Sequence, residues 1–246
     1  MRIETLLVPT ADGRADALAV HPGDGASHPG VLMYPDGFGI RPVLRELAVE
    51  LAGHGYFVLV PNPFYRHGPT PLLDLPEHIG DDLRPQIFAQ VMPLIRAHTP
   101  DRARRDAAAY LDHLTSRPEV SAGPVAVTGY CIGGLLAART AAAHPGRVAA
   151  VAGFHSPFGA DETERHELLA TLTAELHLGH AASDLTPETL ADLNRDLDAA
   201  GVKYCSEIYP GTVHGYTMAD TDSFDAAALQ RHWDDLLALL ARTLAG

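Results

Sequence analysis

Eight short apolar runs rich in β-branched residues recur along this chain, most of them separated by longer stretches whose apolar residues fall at helical spacing. Runs of this kind are buried on both faces, and their alternation with helices predicts a mostly parallel sheet covered by helices. We expect strands near 3–8, 14–20, 30–35, 56–60, 124–128, 148–153, 173–179 and 203–209, the first two joined by the turn Ala11-Asp12-Gly13. Helices are expected at about 41–53, 101–116, 131–143, 187–200 and 223–244. Gly53 and Gly55 close the first of these, and Thr186-Pro187 opens the fourth with a capping residue and a first-turn proline. The 246 residues are 46% hydrophobic and 20% charged, enough for a sizeable core. No repeat or glycine-serine linker divides them, so 1–246 is expected to be a single α/β domain.

The segment at about 61–100 breaks the rhythm. It is rich in proline, shows no clear strand and is expected to be an irregular insertion over one end of the sheet, as a lid or a surface connection. Eighteen Lys plus Arg against 31 Asp plus Glu leave a charge of −13, which repels phosphate backbones and anionic lipid, so neither nucleic acid nor membrane is an expected partner. The two cysteines, Cys131 and Cys205, lie in apolar segments rather than in a disulfide framework. With no signal-like N-terminus and no apolar run of membrane-spanning length, a cytoplasmic monomer or homodimer acting on a small molecule is expected.

The stretch PVAVTGYCIGGLLAARTAAAH, residues 124–144, carries the most chemistry. Apolar residues up to Thr128 lead into Gly129-Tyr130-Cys131-Ile132-Gly133, and an alanine-rich helix follows at once. Strand, tight turn and helix in that order match the G-x-nucleophile-x-G elbow, with cysteine where most such sites have serine. The glycines have a physical cause: the nucleophile occupies a strained backbone position, and side chains two residues away on either side would collide with the turn. A sulfur at a helix N-terminus is favoured as thiolate by the helix dipole and the free N–H groups there. The Ile132 amide would supply one donor of an oxyanion hole. Two plainer readings compete: a small buried hydrophobe in a glycine-rich turn, and a phosphate-binding loop. GYCIGG lacks both G-x-G-x-x-G spacing and the Lys-Ser/Thr of a P-loop.

Such a nucleophile needs an acid and a histidine, in that chain order. KYCSEIYPGTVHGYTMAD reads as a last strand ending at Tyr209-Pro210, then a glycine-bearing loop that brings His214 over the elbow. The preceding strand ends at Leu178-Gly179, with Asp184 five residues on, where its carboxylate would fix the imidazole tautomer. The competing role for Asp184 is to cap the helix beginning near Pro187, and for His214 to be an ordinary solvated side chain. In VLMYPDGFGIRP a strand ends in Asp36-Gly37-Phe38-Gly39. Because helix rather than strand follows, the loop reads as the source of a second oxyanion donor, the Gly37 N–H, and not as a hairpin turn.

Together YPDGFG, GYFVLVPNPFYR, GYCIGG, GHAASD and YPGTVHGY resemble the dienelactone hydrolase family within the α/β-hydrolase fold, over nearly the whole chain. The resemblance implies an eight-stranded, mostly parallel sheet flanked by helices. It also implies hydrolysis of enol esters or lactones by a cysteine, aspartate and histidine triad without cofactor, and no metal site is expected. By matching position those roles fall on Cys131, Asp184 and His214. Two positions depart: well-studied members carry Glu where Asp36 stands, proposed to hold the resting thiol, and an arginine for the substrate carboxylate where this chain has Met218.

The expected function is therefore hydrolysis of activated (enol or aryl) esters or lactones through a thioester acyl-enzyme. A non-hydrolytic small-ligand receptor and an acyl transferase are the other readings of the same fold. Substrate-facing walls are expected from Phe38, Tyr65, Tyr130 and Tyr216, each beside a motif loop or the 61–100 segment, with Asp36 also facing substrate. Met218 and the charge of Asp36 point to neutral esters, unless Arg41, Arg66 or Arg84 restores a carboxylate clamp. Cys205, inside a strand, is expected to be packed and inert, leaving Cys131 as the reactive thiol.

Overall fold

The computed structural model describes residues 1–244. Eight strands form one sheet: β1 (Arg2–Thr10), β2 (Gly13–His21), β3 (Gly30–Tyr34), β4 (Phe57–Pro61), β5 (Val125–Tyr130), β6 (Val148–Phe154), β7 (Glu175–Ala181) and β8 (Tyr204–Tyr209). Their spatial order is β1-β2-β4-β3-β5-β6-β7-β8. The β1–β2 hairpin and the β2–β4 pair are antiparallel, and every later pairing is parallel. The exchange of β3 and β4 in this order sets β3 beside β5. Their outgoing loops therefore open together at the C-terminal edge, where open α/β sheets bind ligands.

Seven α-helices accompany the sheet among the described residues: α1 (Pro42–Gly53), α2 (Arg84–Ala97), α3 (Pro100–Thr115), α4 (Ile132–Ala143), α5 (Glu162–Leu169), α6 (Pro187–Ala199) and α7 (Ala226–Thr243). Helices on both faces explain why β3, β4 and β5 are buried at every position. Side chains alternate between the two layers. Leu32, Tyr34 and Val127 pack with Leu111, Leu114 and Leu136 of α3 and α4, whereas Val31, Met33 and Ala126 pack with Leu47, Leu51, Leu236 and Leu240 of α1 and α7. No helix among the described residues is long and apolar enough to cross a membrane.

Two helices occupy stretches where none was expected. The 61–100 segment is not wholly irregular, because it contains α2. Pro85 fits that helix's first turn, but Pro93 lies inside it, removing one backbone hydrogen bond. Only Ile87 and Val91 of α2 are buried, so the helix rests on a small cluster with Phe38 and Ile79, apart from the two main layers. α5, ETERHELL, is polar except for two leucines and buries only Arg165 and Leu169. It is held by its Asp161 cap, whose side chain accepts the Glu164 N–H.

Candidate active site

Cys131 stands between β5 and α4 with φ 53° and ψ −125°, a conformation L-residues rarely adopt. The turn is tight because α4 presses back on the strands that carry it. A Cβ at Gly129 would lie 2.1 Å from Gly133 O, and one at Gly133 would lie 2.4 Å from Pro35 O. Any side chain at either position would force the helix off the sheet. Cys131 is half-buried, and its N–H is tied to Phe154 O of β6 at 3.0 Å.

The loops after β7 and β8 are stitched together. Thr212 Oγ1 accepts the Ala182 N–H at 3.1 Å, and Ser183 Oγ accepts the His214 N–H at 2.9 Å while donating to Asp184 Oδ1 at 3.1 Å. This places Asp184 Oδ2 2.7 Å from His214 Nδ1. Asp184 does not cap α6; Thr186 does, accepting the Thr189 N–H. Burial pulls the His214 pKa down, but the hydrogen bond to Asp184, the nearby Cys131 sulfur and the charges of both outweigh it and push it up to about 10.

Around these groups lies a cavity of about 300 Å³, including its open mouth. Asp36, Gly37 and Phe38 line it with Cys131 and His214, and so does Met218. Among the described residues, neither the Gly37 nor the Ile132 N–H donates to a protein acceptor, so both are available to a ligand. The Asp36 carboxylate is already engaged: it accepts from Arg41 Nη1 at 2.6 Å and Nη2 at 3.0 Å and from the Phe38 N–H at 3.0 Å. Arg41 bonds Asp220 with Nε at 2.6 Å on its other side. One guanidinium thus serves two carboxylates, so the Asp36–Arg41–Asp220 group keeps a net charge of −1.

The three tyrosines do not form walls of this cavity. Tyr130, the last residue of β5, turns into the α1/α7 layer, where its hydroxyl meets His232 Nε2 at 3.1 Å. Tyr65 faces away toward β1 and α3, bonding Thr10 Oγ1 at 2.7 Å and Asp106 Oδ1 at 3.1 Å. Tyr216 is fully buried and donates to Gly179 O at 3.0 Å. Each sits beside a motif in sequence, but the backbone aims each side chain into packing. The cavity instead gains Arg84 and Phe88 from α2, His155 from the end of β6, and Thr221. Arg84 Nη2 donates to His214 O at 2.6 Å, and Nη1 bonds Ser223 Oγ. Of the three arginines considered from sequence, Arg84 lines the cavity, while Arg66 is bound to Asp12 and Asp106.

Cys205 is not packed. It is exposed on the edge strand β8, although partial burial of its sulfur and the nearby Glu207 carboxylate hold its pKa above the ordinary thiol range. One group of metal-capable donors, His177, Glu207 and Asp235, lies within 4.8 Å, but Arg231 pairs with Glu207 and Tyr209 OH donates to Asp235 at 2.5 Å. None of the three lines the cavity.

Comparison with known proteins agrees with this architecture. An Escherichia coli K12 protein with a provisional carboxymethylenebutenolidase name is 24% identical over 219 residues, covering 85% of this chain and 75% of the other. The carboxymethylenebutenolidase of Pseudomonas sp. strain P51 is 31% identical over 114 residues, 46% of this chain and 44% of its own. The structure of a Klebsiella pneumoniae protein, described provisionally as a dienelactone hydrolase, superposes with a TM-score of 0.84 over 98% of both chains at 18% identity. The dienelactone hydrolase family profile matches from residue 15 to residue 244. Since that match takes in every strand from β3 onward together with all the loops that build the cavity, the chain belongs to the dienelactone hydrolase family and is a hydrolase of the α/β-hydrolase fold.

Proposed function

We propose that this chain hydrolyses activated (enol or aryl) esters or lactones with Cys131 as nucleophile, His214 as proton carrier and Asp184 as its orienting anion. The observation that carries the reading is His214 Nδ1 held 2.7 Å from Asp184 Oδ2, with the His214 ring and Cys131 lining the same cavity. The Cys131 thiolate attacks the carbonyl carbon, a C–S bond forms and the carbonyl electron pair moves to oxygen. The N–H groups of Ile132 and Gly37 receive that oxyanion. Collapse expels the alkoxide or enolate, which takes its proton from the His214 imidazolium and leaves a thioester.

Acylation changes the histidine. The hydrogen bond and charge of the sulfur are among the causes of its raised pKa, and both disappear when the thioester forms. His214 then falls back toward a value at which a neutral imidazole accepts a proton from water. The hydroxide equivalent attacks the thioester, thiolate leaves, and the ion pair is restored. Thiolate is a good leaving group, so an amide substrate would expel sulfur rather than amine. This favours enol and aryl esters and lactones.

By its name, a carboxymethylenebutenolidase acts on a lactone carrying a carboxymethylene group, and Arg84 offers this cavity a cation despite Met218. We therefore include carboxylated lactones among the substrates. The test is turnover of a panel of aryl esters and lactones, with intact-mass detection of the acyl-enzyme. Turnover with a transient adduct, both lost in Cys131→Ala, is expected. Binding without an adduct would make the chain a receptor, and acyl transfer to an added alcohol in preference to water would make it a transferase.

A further inference from the structure

Among the described residues, two that are not glycine have positive φ: Cys131 and His155, the latter at 39°. They are neighbours, since β5 and β6 pair Tyr130 with Phe154. Backbone strain of this kind persists only where surrounding structure holds it. At His155 the holding contact is its own N–H to Gly179 O, 2.8 Å. The side chain is fully buried and lines the same cavity as Cys131 and His214. Its Nε2 lies 2.8 Å from Oγ1 of Thr217, also fully buried, while Nδ1 has no partner. The ring stands edge-on to that of His214, with centroids 5.2 Å apart and planes at 70°. Tyr216 backs it at 5.1 Å.

Asp184 alone does not fix His214. One hydrogen bond at Nδ1 leaves the imidazole free to turn about that bond, carrying Nε2 away from the sulfur. A second contact off that axis is needed, and the His155 ring is placed to make it. We propose that His155 is a positioning residue: its ring, pinned through Nε2 by Thr217, walls the His214 ring and keeps Nε2 on Cys131. This rests on reading Cys131 and His214 as the reacting pair.

The surroundings suit a neutral wall. Burial, reinforced by the charges of His214 and Arg84, holds the His155 pKa well below the ordinary histidine range. It therefore adds no positive charge against the imidazolium it supports. Asp184, Cys131 and Arg84 are the other ionisable groups at His214, and Tyr130, Tyr216 and His232 surround His155 on its remaining sides.

The experiment measures the pH dependence of Cys131 alkylation by iodoacetamide, and kcat and KM on an aryl ester, in H155A, H155F, T217V and H214A. In H155A the alkylation profile is expected to move to higher pH. Its kcat falls about ten- to a hundredfold with KM little changed, as for a misplaced catalytic group. H155F and T217V each keep a ring there but lose its pin to Thr217, so both should fall between H155A and wild type in kcat. Wild-type alkylation and kcat in H155A, alongside a shifted H214A profile, overturn the proposal. So does H155F as impaired as H155A, which assigns the role to a nitrogen instead of the ring. If H155A does not fold, a T217V profile and kcat identical to wild type overturn it. An unshifted H214A profile would instead defeat the Cys131–His214 pairing itself.

Discussion

Asp184→Asn tests the site with the least change in shape. The substitution keeps the size of the side chain but removes the negative charge 2.7 Å from His214 Nδ1. The rise of the His214 pKa from 6.5 to about 10, net of the burial that opposes it, corresponds to about 5 kcal/mol at 1.36 kcal/mol per unit. Cys131 supplies a share, and the side chains of the pair are 29% and 21% exposed, so solvent screens the remainder. A charge-assisted hydrogen bond of about 1.5–3 kcal/mol is the part left to Asp184, which lowers the imidazole pKa in the variant by about one to two units. Turnover falls further, by about 10³–10⁴-fold, because the amide no longer holds the tautomer that presents Nε2 to the sulfur. Linkage gives a second reading. The folded-state pKa is raised, so the stability contributed by the pair is complete below pH 6.5 and lost as pH climbs through about 10. Wild-type thermal stability should therefore drop between those limits, and that of the variant should drop less. The assay is kcat/KM on an aryl acetate from pH 5 to 10, with melts over the same range. A variant kcat within about threefold of wild type would refute the reasoning.

Iodoacetamide at pH 7 should label Cys131 before the more exposed Cys205, because partial burial and Glu207 hold the Cys205 thiol up; peptide mapping that finds Cys205 labelled first counts against the elbow. In Arg84→Gln, the ratio of kcat/KM for a carboxylated lactone to that for a neutral aryl ester should fall about ten- to a hundredfold, the worth of one charge-assisted contact. Equal losses on both substrates would confine Arg84 to holding the His214 loop. Arg41→Met leaves the buried Asp36 and the half-buried Asp220 without their cation and should cost about 3–5 kcal/mol in urea unfolding. A loss below about 1 kcal/mol would show that neither carboxylate depends on Arg41.

The sheet was readable because its strands are buried on both faces and carry uninterrupted apolar runs, as in Phe57–Pro61. α2 escaped detection because Pro85 and Pro93 read as breakers, and because it packs on Phe38, far from it in sequence. α5 escaped because a helix that buries so little leaves no apolar period. Cys131, Asp184 and His214 were legible because each follows a strand, and strand ends converge on one edge whatever the loops do. The tyrosine walls failed on direction. Ala126 and Tyr130 share the α7 side of β5, while Val125 and Val127 face α3 and α4, so parity along the strand already assigned Tyr130 to the core. His155 carried a usable signal that adjacency to motifs concealed: it is the first residue past β6, the strand next to the elbow.

Arg41 joins Asp36, five residues before it, to Asp220, 179 residues after it. During synthesis the N-terminal partners emerge first and wait for most of the chain. Until the β8 loop arrives, the guanidinium has one carboxylate of its two, and His214 is not yet in place beside Cys131. The emerging chain thus carries Cys131 before the His214 imidazole proposed to activate it.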